Sequence, residues 1–281
     1  MSEKIYLNGH LVSGGEAHVS VSNPAFLHGV GLFETLRTYN GKPFRLAEHV
    51  ERLRASAQRL SMPITDLIEK IPAAVDEVLA ANNLTSARVR ITVTPPGTME
   101  DVEHGTLLVR AEATAGYPSQ LYERGMTVYV HTRYRQSSLD PLAGHKTTSY
   151  FPRLLALRDA QEKQCGEALW FTPDNFLAEG CMSNVFIVRE GKLITPPLDT
   201  PVLPGVTRAA VIELAQKRGI DCEQRPCTIN DLLGADEVFL TNAVMEVMPV
   251  TRVERHAVGN EKIGEVTRTL AEAYKELTGA A

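Results

Sequence analysis

Two Asn-Gly pairs place the first constraint on this chain. Asn8-Gly9 follows the β-type run Lys4–Leu7 and Asn40-Gly41 follows Leu32–Tyr39. Asn-Gly supplies the left-handed backbone that a two-residue hairpin needs. With Gly14-Gly15 as a further turn beside a short run at 19–21, the opening of the chain reads as antiparallel strands. In the run ending at Tyr39, Phe33, Thr35 and Arg37 share one face, while Leu32, Glu34 and Leu36 share the other, because strand side chains alternate. One of these faces should meet a functional site.

Helical periodicity takes over at Leu46, Val50, Leu53 and Ala57 and is broken by Pro63, leaving Glu51 and Arg52 off the apolar stripe. A second helix is expected over about 64–81, then strands at 87–93 and 106–111. The stretch 112–120 is small, polar and broken by Gly116 and Pro118, which suits an inter-domain connection. The expected organisation is an α+β domain over 1–114, a linker over 115–121 and a larger domain over 122–281. That second domain reads as strand 125–131, helix 150–163, strands near 167–171, 184–189 and 192–195, helix 206–218, strands near 236–241 and 247–253, and a closing helix at 261–277. The fold class is therefore α/β (α+β), in two domains and without internal repeats.

A length of 281 residues suits two domains, and 43% apolar with 22% charged residues is an ordinary globular balance that sets aside disordered and fibrous classes. A net charge of -5 argues against a nucleic-acid surface, so an anionic ligand would have to be met by local positive charge. The opening MSEKIYLNGH lacks a secretory pattern and no apolar run approaches a membrane span, which gives the expectation of a cytoplasmic protein outside the membrane. Cys165, Cys181, Cys222 and Cys227 form no CxxC pair and read as reduced thiols, and no HExxH-like arrangement of histidines suggests a metal. Neither GxxxxGK nor GxGxxG occurs at the opening of a βαβ unit, which weakens kinase and dehydrogenase readings.

Chemistry concentrates in the second half. Pro141-Leu-Ala-Gly-His-Lys146-Thr-Thr-Ser-Tyr150 sets a lysine among small residues ahead of an amphipathic helix. Leu177-Ala-Glu179-Gly-Cys-Met-Ser-Asn184-Val-Phe186 follows, and then Leu203-Pro-Gly205-Val206-Thr207-Arg208. A lysine, an acid beside a strand and a Gly turn opening a helix are the parts needed to hold pyridoxal phosphate. Imine formation needs an amine that can lose its proton, and burial beside positive charge moves a lysine that way. Lys163 and Lys192 fall instead at a helix end and a turn, where solvated charge is normal.

The run 179–208 resembles the signature of the class-IV aminotransferases, the fold-type-IV pyridoxal-phosphate enzymes. These include branched-chain, D-amino-acid and (R)-amine transaminases and aminodeoxychorismate lyases. Gly29-Val30-Gly31-Leu32-Phe33-Glu34-Thr35 and His49-Val50-Glu51-Arg52-Leu53 resemble two further blocks of that family, so the likeness spans nearly the whole chain. It implies a two-domain fold with pyridoxal 5'-phosphate at the domain interface and a homodimer. It places Lys146 at the Schiff-base position and Glu179 at the pyridine nitrogen. The Val206 N–H, the Thr207 N–H and hydroxyl, and Arg52 would meet the phosphate, with Arg54 as the competing arginine. Thr241 and Asn242 match a further phosphate-side loop, and Tyr150 would direct its hydroxyl to the cofactor's phenolic oxygen.

The chain also departs from the family. His28-Gly29-Val30-Gly31 stands where many relatives have aromatic-Gly-Asp-Gly, and Pro95-Pro96 precede Gly97-Thr98 where D-amino-acid transaminases carry a carboxylate-binding Arg-Gly. The substrate side is accordingly left to Phe33, Thr35, Arg37 and Arg90, and a carboxylate to Arg37, Arg90, Arg133, Arg135 or backbone donors. The implied activity is transfer of an amino group between a small amino acid or amine and a 2-oxo acid. Aminodeoxychorismate lyase chemistry is the alternative, and a non-catalytic binding protein on the same fold the remote one.

Overall fold

The computed structural model describes residues 3–97 and 104–279; Thr98, the end of the proline-bearing segment, lies outside them. The chain divides into two compact units, Met1–Ala115 with His145–Tyr150, and Gly116–Gly144 with Phe151–Ala281.

The first unit is built on an antiparallel sheet. Its strands are β1 (Lys4–Leu7), β2 (His10–Ser13), β3 (Leu32–Tyr39), β4 (Lys42–Pro43), β5 (Ala87–Thr94) and β6 (Thr106–Ala113), in the order β2-β1-β6-β5-β3-β4. Both Asn-Gly pairs form hairpins, joining Leu7 to His10 and Tyr39 to Lys42, with Asn8, Gly9, Asn40 and Gly41 all at positive φ. Gly14-Gly15 instead enters a short 3-10 turn, and 19–21 pairs with no strand among the described residues. The helices are α1 (Pro24–His28), α2 (Leu46–Arg59), α3 (Thr65–Ile68) and α4 (Ile71–Ala81). The helix expected over 64–81 is thus broken in two, because Pro72 lacks the N–H that an uninterrupted helix would use and sits in the first turn of α4, where that loss is free. Leu32 and Leu36 of β3 join Val50 and Leu53 of α2 and Ile71, Val75 and Val78 of α4 in one core, each buried side chain contributing about 1.5–3 kcal/mol.

In the second unit, α5 (Ser119–Arg124) leads into β7 (Met126–Arg135), followed by α6 (Phe151–Glu162), β8 (Glu167–Phe171), β9 (Leu177–Gly180), β10 (Asn184–Arg189) and β11 (Lys192–Thr195). Then come α7 (Val206–Lys217), β12 (Cys222–Gln224), α8 (Ile229–Leu233), β13 (Glu237–Asn242), β14 (Glu246–Val253), β15 (His256–Ala257) and α9 (Glu265–Thr278). Its mixed sheet runs β12-β11-β10-β13-β14-β7-β8-β9, with β15 on β14. β10 and β13 lie antiparallel, and the stacked rings of Phe186 and Phe239, 4.9 Å apart, lock a register that sets Asn184 opposite Thr241. No helix among the described residues is long and apolar enough to cross a membrane.

The division differs from the expected 1–114 and 122–281 in one respect that matters. The segment carrying Lys146 belongs to the first unit, because its backbone extends β3: Thr147 bridges Leu32, the Phe33 N–H donates to the Lys146 carbonyl at 2.9 Å, and the Thr148 N–H donates to Gly31 at 2.9 Å. Residues 119–124, partly inside the expected linker, are helical.

Candidate active site

In the first unit the lysine segment lies so close to 29–31 that larger residues would not fit. A Cβ on Gly29, whose φ is +70°, would stand 2.7 Å from Ser149 Oγ, and one on Gly31 would stand 3.0 Å from Thr148 Oγ1. Thr148 Oγ1 also donates to the Gly29 carbonyl at 2.6 Å. This contact explains why positions 29 and 31 are glycines.

Lys146 comes to the Phe33 face of β3. Its Nζ lies 4.5 Å from the Phe33 ring centre and 5.7 Å from that of Tyr150, and the two rings meet edge to face at 5.1 Å. The guanidinium of Arg90, on β5 opposite Thr35, lies 3.4 Å from the Phe33 ring centre. Burial and the neighbouring Arg88 hold the Arg90 pKa down at about 10. Arg90 reaches only Thr92 Oγ1, at 3.4 Å, and forms no ion pair with an acid among the described residues. A half-buried arginine without an acid, beside a lysine and two aromatic rings, is a site for an anion that the protein does not itself supply. Arg37 lies farther along the same strand face, over the Tyr39 ring.

On the opposite face of β3, Glu34 is 1% exposed. Arg52 grips it with two prongs, Nε to Oε1 at 2.8 Å and a terminal nitrogen to Oε2 at 2.5 Å. Since an ionised carboxylate only accepts, His49 donates from Nδ1 to Oε2 at 2.8 Å. Burial pushes the Glu34 carboxyl upward, but the Arg52 charge and the His49 hydrogen bond outweigh it and bring the pKa to about 2. Burial is also the main cause that lowers His49 below its usual 6.5. Arg54 turns outward to Glu51 at 2.7 Å and Glu69 at 2.8 Å.

In the second unit, Glu179 lies within β9 and is 1% exposed. Its Oε1 accepts from Arg153 at 2.7 Å and from Gln136 at 3.0 Å, and its Oε2 accepts from the Leu203 N–H at 2.9 Å. Two oxygens offer about four acceptor positions, so one on Oε2 stays open for a further donor. Close by in sequence, Asn184 Nδ2 donates to the Leu203 carbonyl at 2.9 Å, and a Cβ on Gly205 would collide with Asn184 Oδ1. That close approach seats the start of α7, where Ala209 makes the first helical bond back to Gly205 and the Val206 and Thr207 N–H groups precede it. Thr207 is buried, and Thr241 Oγ1 is buried without a hydrogen-bond partner among the described residues. Helix-start N–H groups and two buried threonine hydroxyls, that of Thr241 unpartnered, make a donor set that fits a phosphate, as the open Glu179 oxygen fits a protonated ring nitrogen. Asn242 contributes differently: its side-chain oxygen accepts from Val244 and Met245, both at 2.8 Å, and shapes the turn into β14.

Lys146, Tyr150, Phe33, Thr35, Arg37, Arg90 and Arg52 thus belong to the first unit, and Glu179, Val206, Thr207, Thr241 and Asn242 to the second. Arg133, paired with Asp159 and largely exposed, and Arg135, near the Phe171 ring, are in the second unit. Sequence reading passed over Glu34, His49, Gln136 and Arg153 as site residues. Glu34 did carry a sign, an acid between two core leucine positions of one strand face. So did Arg153, a cation in the first turn of a helix, where the dipole disfavours it.

The first unit thus carries a lysine among aromatic rings, and the second a buried carboxylate and a helix start whose donors suit an anion. The family model for amino-transferase class IV matches residues 31–253. A putative branched-chain-amino-acid aminotransferase of Methanocaldococcus jannaschii is 36% identical over 98% of this chain and 96% of that protein. Aminodeoxychorismate lyase of Bacillus subtilis is 31% identical over 97% and 94%. A T.th. branched-chain amino acid aminotransferase complexed with N-(5'-phosphopyridoxyl)-L-glutamate superposes with a TM-score of 0.91 at 28% identity, over 100% of this chain and 96% of that one. The chain belongs to the class-IV aminotransferase family, and as such is a pyridoxal-phosphate-dependent transaminase.

Proposed function

We propose that this enzyme exchanges the amino group of branched-chain L-amino acids with 2-oxoglutarate. The observation that supports it is the Arg90 guanidinium, stacked on Phe33 beside Lys146 with no acid of its own among the described residues. It suits a carboxylate, the group common to every amino donor and 2-oxo acceptor of such an exchange. The names of the relatives support the side-chain preference. Pyridoxal phosphate, when bound, carries the amino group and delocalises the electron pair left when the substrate's α-proton departs. Lys146 Nζ holds the cofactor between turnovers, takes that α-proton and returns a proton on the other side of the exchange. Glu179 keeps the ring nitrogen protonated. Val206, Thr207, Thr241 and Arg52 hold the phosphate, and the Tyr150 hydroxyl meets the phenolic oxygen. We assign the enzyme to the cytoplasm as a homodimer. The exposed apolar side chains Val21, Phe26 and Leu27 support a second copy covering the first unit.

The test is a half-reaction panel read from the cofactor spectrum, with L-leucine, L-glutamate, D-alanine and (R)-1-phenylethylamine, beside pyruvate release from aminodeoxychorismate. L-leucine and L-glutamate should react fastest. Arg90→Met should raise KM for both about ten- to a hundredfold, the worth of a charge-assisted hydrogen bond. Faster reaction with D-alanine or the amine would refute the substrate class. Pyruvate release would favour the lyase reading, which rests on the Bacillus subtilis relative.

A further inference from the structure

The carboxylate of Glu179 is held by a side chain from another element, helix α6. Arg153, in the first turn of α6, sends one terminal nitrogen to Glu179 Oε1 at 2.7 Å and the other to the Cys181 carbonyl at 3.0 Å, while its guanidinium lies 4.9 Å from the Trp170 ring centre. One fork therefore ties both the carboxylate and the turn that follows it. The same turn is pinned from its other side by a buried acid, Glu167, whose Oε1 accepts from Cys181 Sγ at 2.6 Å and whose Oε2 accepts from Ser183 Oγ at 3.1 Å. Beyond that turn stands Asn184, against which Gly205 and the start of α7 are seated. Gln136 adds a second donor to Oε1 and a bond to the Pro201 carbonyl.

The consequence is an asymmetry between the two oxygens of Glu179. Oε1 is occupied by Arg153 and Gln136, whereas among the described residues Oε2 holds only the Leu203 N–H. The geometry points to Arg153 as a positioning residue: by fixing Oε1 it sets the carboxylate torsion and turns the open position of Oε2 toward the cofactor's ring nitrogen. This deepens the proposed function and rests on its assignment of Glu179. A carboxylate held at Oε1 by a charged donor that is itself anchored to the Cys181 carbonyl, and at Oε2 by the Leu203 N–H, has one orientation, while one that loses the charged donor can rotate. The Glu179–Arg153 pair also keeps a buried negative charge compensated, so that the ring N–H does not have to supply that compensation.

The test compares two ligands of the cofactor-free protein, pyridoxal phosphate and its analogue with a CH in place of the ring nitrogen, by equilibrium dialysis. Their affinity ratio isolates the contact at that nitrogen. Arg153→Met should lower the ratio about tenfold or more, since it loosens a charge-assisted hydrogen bond. Arg153→Lys, which keeps the charge, should restore most of the loss. In a Glu179→Gln background, Arg153→Met should have no further effect on the ratio, as expected of two residues acting as one unit. If the Met variant does not fold, Arg153→Gln takes its place with the same expected outcome. A ratio unchanged in the Arg153 variants, or a drop that persists in the Glu179→Gln background, overturns the proposal. So does a ratio that rises, because Arg153 would then compete with the ring nitrogen for Glu179. If Glu179→Gln alone leaves the ratio intact, what fails is the assignment of Glu179 itself.

Discussion

Replacing Glu34 by Gln removes the carboxylate on which Arg52 and His49 converge, and the structure gives the size of the effect. The Glu34 pKa falls from 4.5 to about 2 although burial opposes the fall, and that gap corresponds to on the order of 3 kcal/mol of folding free energy. The folded state binds fewer protons than the unfolded chain across this window. The stabilisation is therefore fully present above pH 4.5 and is lost as the pH falls toward 2. His49, lowered from 6.5 mainly by burial, acts in the same direction and begins to cost stability below pH 6.5. Gln does not titrate, and it leaves a guanidinium that is 9% exposed without its counter-charge. Glu34→Gln should accordingly be less stable at pH 7 by about 3 kcal/mol, and its stability should fall less steeply below about pH 4.5. The two proteins should converge near about pH 2. Urea unfolding of the cofactor-free protein, followed by far-UV circular dichroism at a series of pH values, measures this. Trp170, the one tryptophan of the chain, lies in the second unit, so its fluorescence follows that unit beside the circular dichroism of the whole chain. Stability curves that run parallel down to about pH 2 would refute the linkage and reduce the Glu34–Arg52 pair to packing.

Two further outcomes test the cofactor's attachment. Lys146→Ala should abolish the yellow colour of the purified enzyme while leaving its circular dichroism intact; borohydride reduction of the wild type followed by peptide mapping should find the pyridoxyl group on the Lys146 peptide, and an adduct on another lysine would sink the assignment. Arg52→Ala, compared on the folded fraction, should weaken cofactor retention in dialysis about ten- to a hundredfold, whereas Arg54→Ala, whose guanidinium is spent on two surface acids, should not, and equal losses would remove the reason for choosing Arg52.

What the sequence carried most clearly was local. The Asn-Gly hairpins, the alternation of β3 and the apolar stripe of α2 follow from backbone and period alone, and they appear with nearly the expected bounds. Two short helices passed over in the sequence were announced by their caps and not by periodicity. Asn23 accepts from the Ala25 N–H ahead of Pro24, and Thr228 forms a reciprocal capping box with Asp231. Five-residue helices are too short for a stripe to show. The placement of the lysine segment had no local sign at all, because it depends on backbone bonds between 31–33 and 146–148 that any residues small enough could make. Buried charge lies between these cases. An acid at a core-facing strand position, such as Glu34, or a cation at a helix start, such as Arg153, violates a local preference that folding must offset. The violation can be read in the sequence, but its partner cannot, since Arg153 and Glu179 stand on different elements. Those violations fall on the residues that hold Arg52 and Glu179, the two groups proposed to meet the cofactor's phosphate and ring nitrogen, and a protein accepts a local cost where it must hold such a group still.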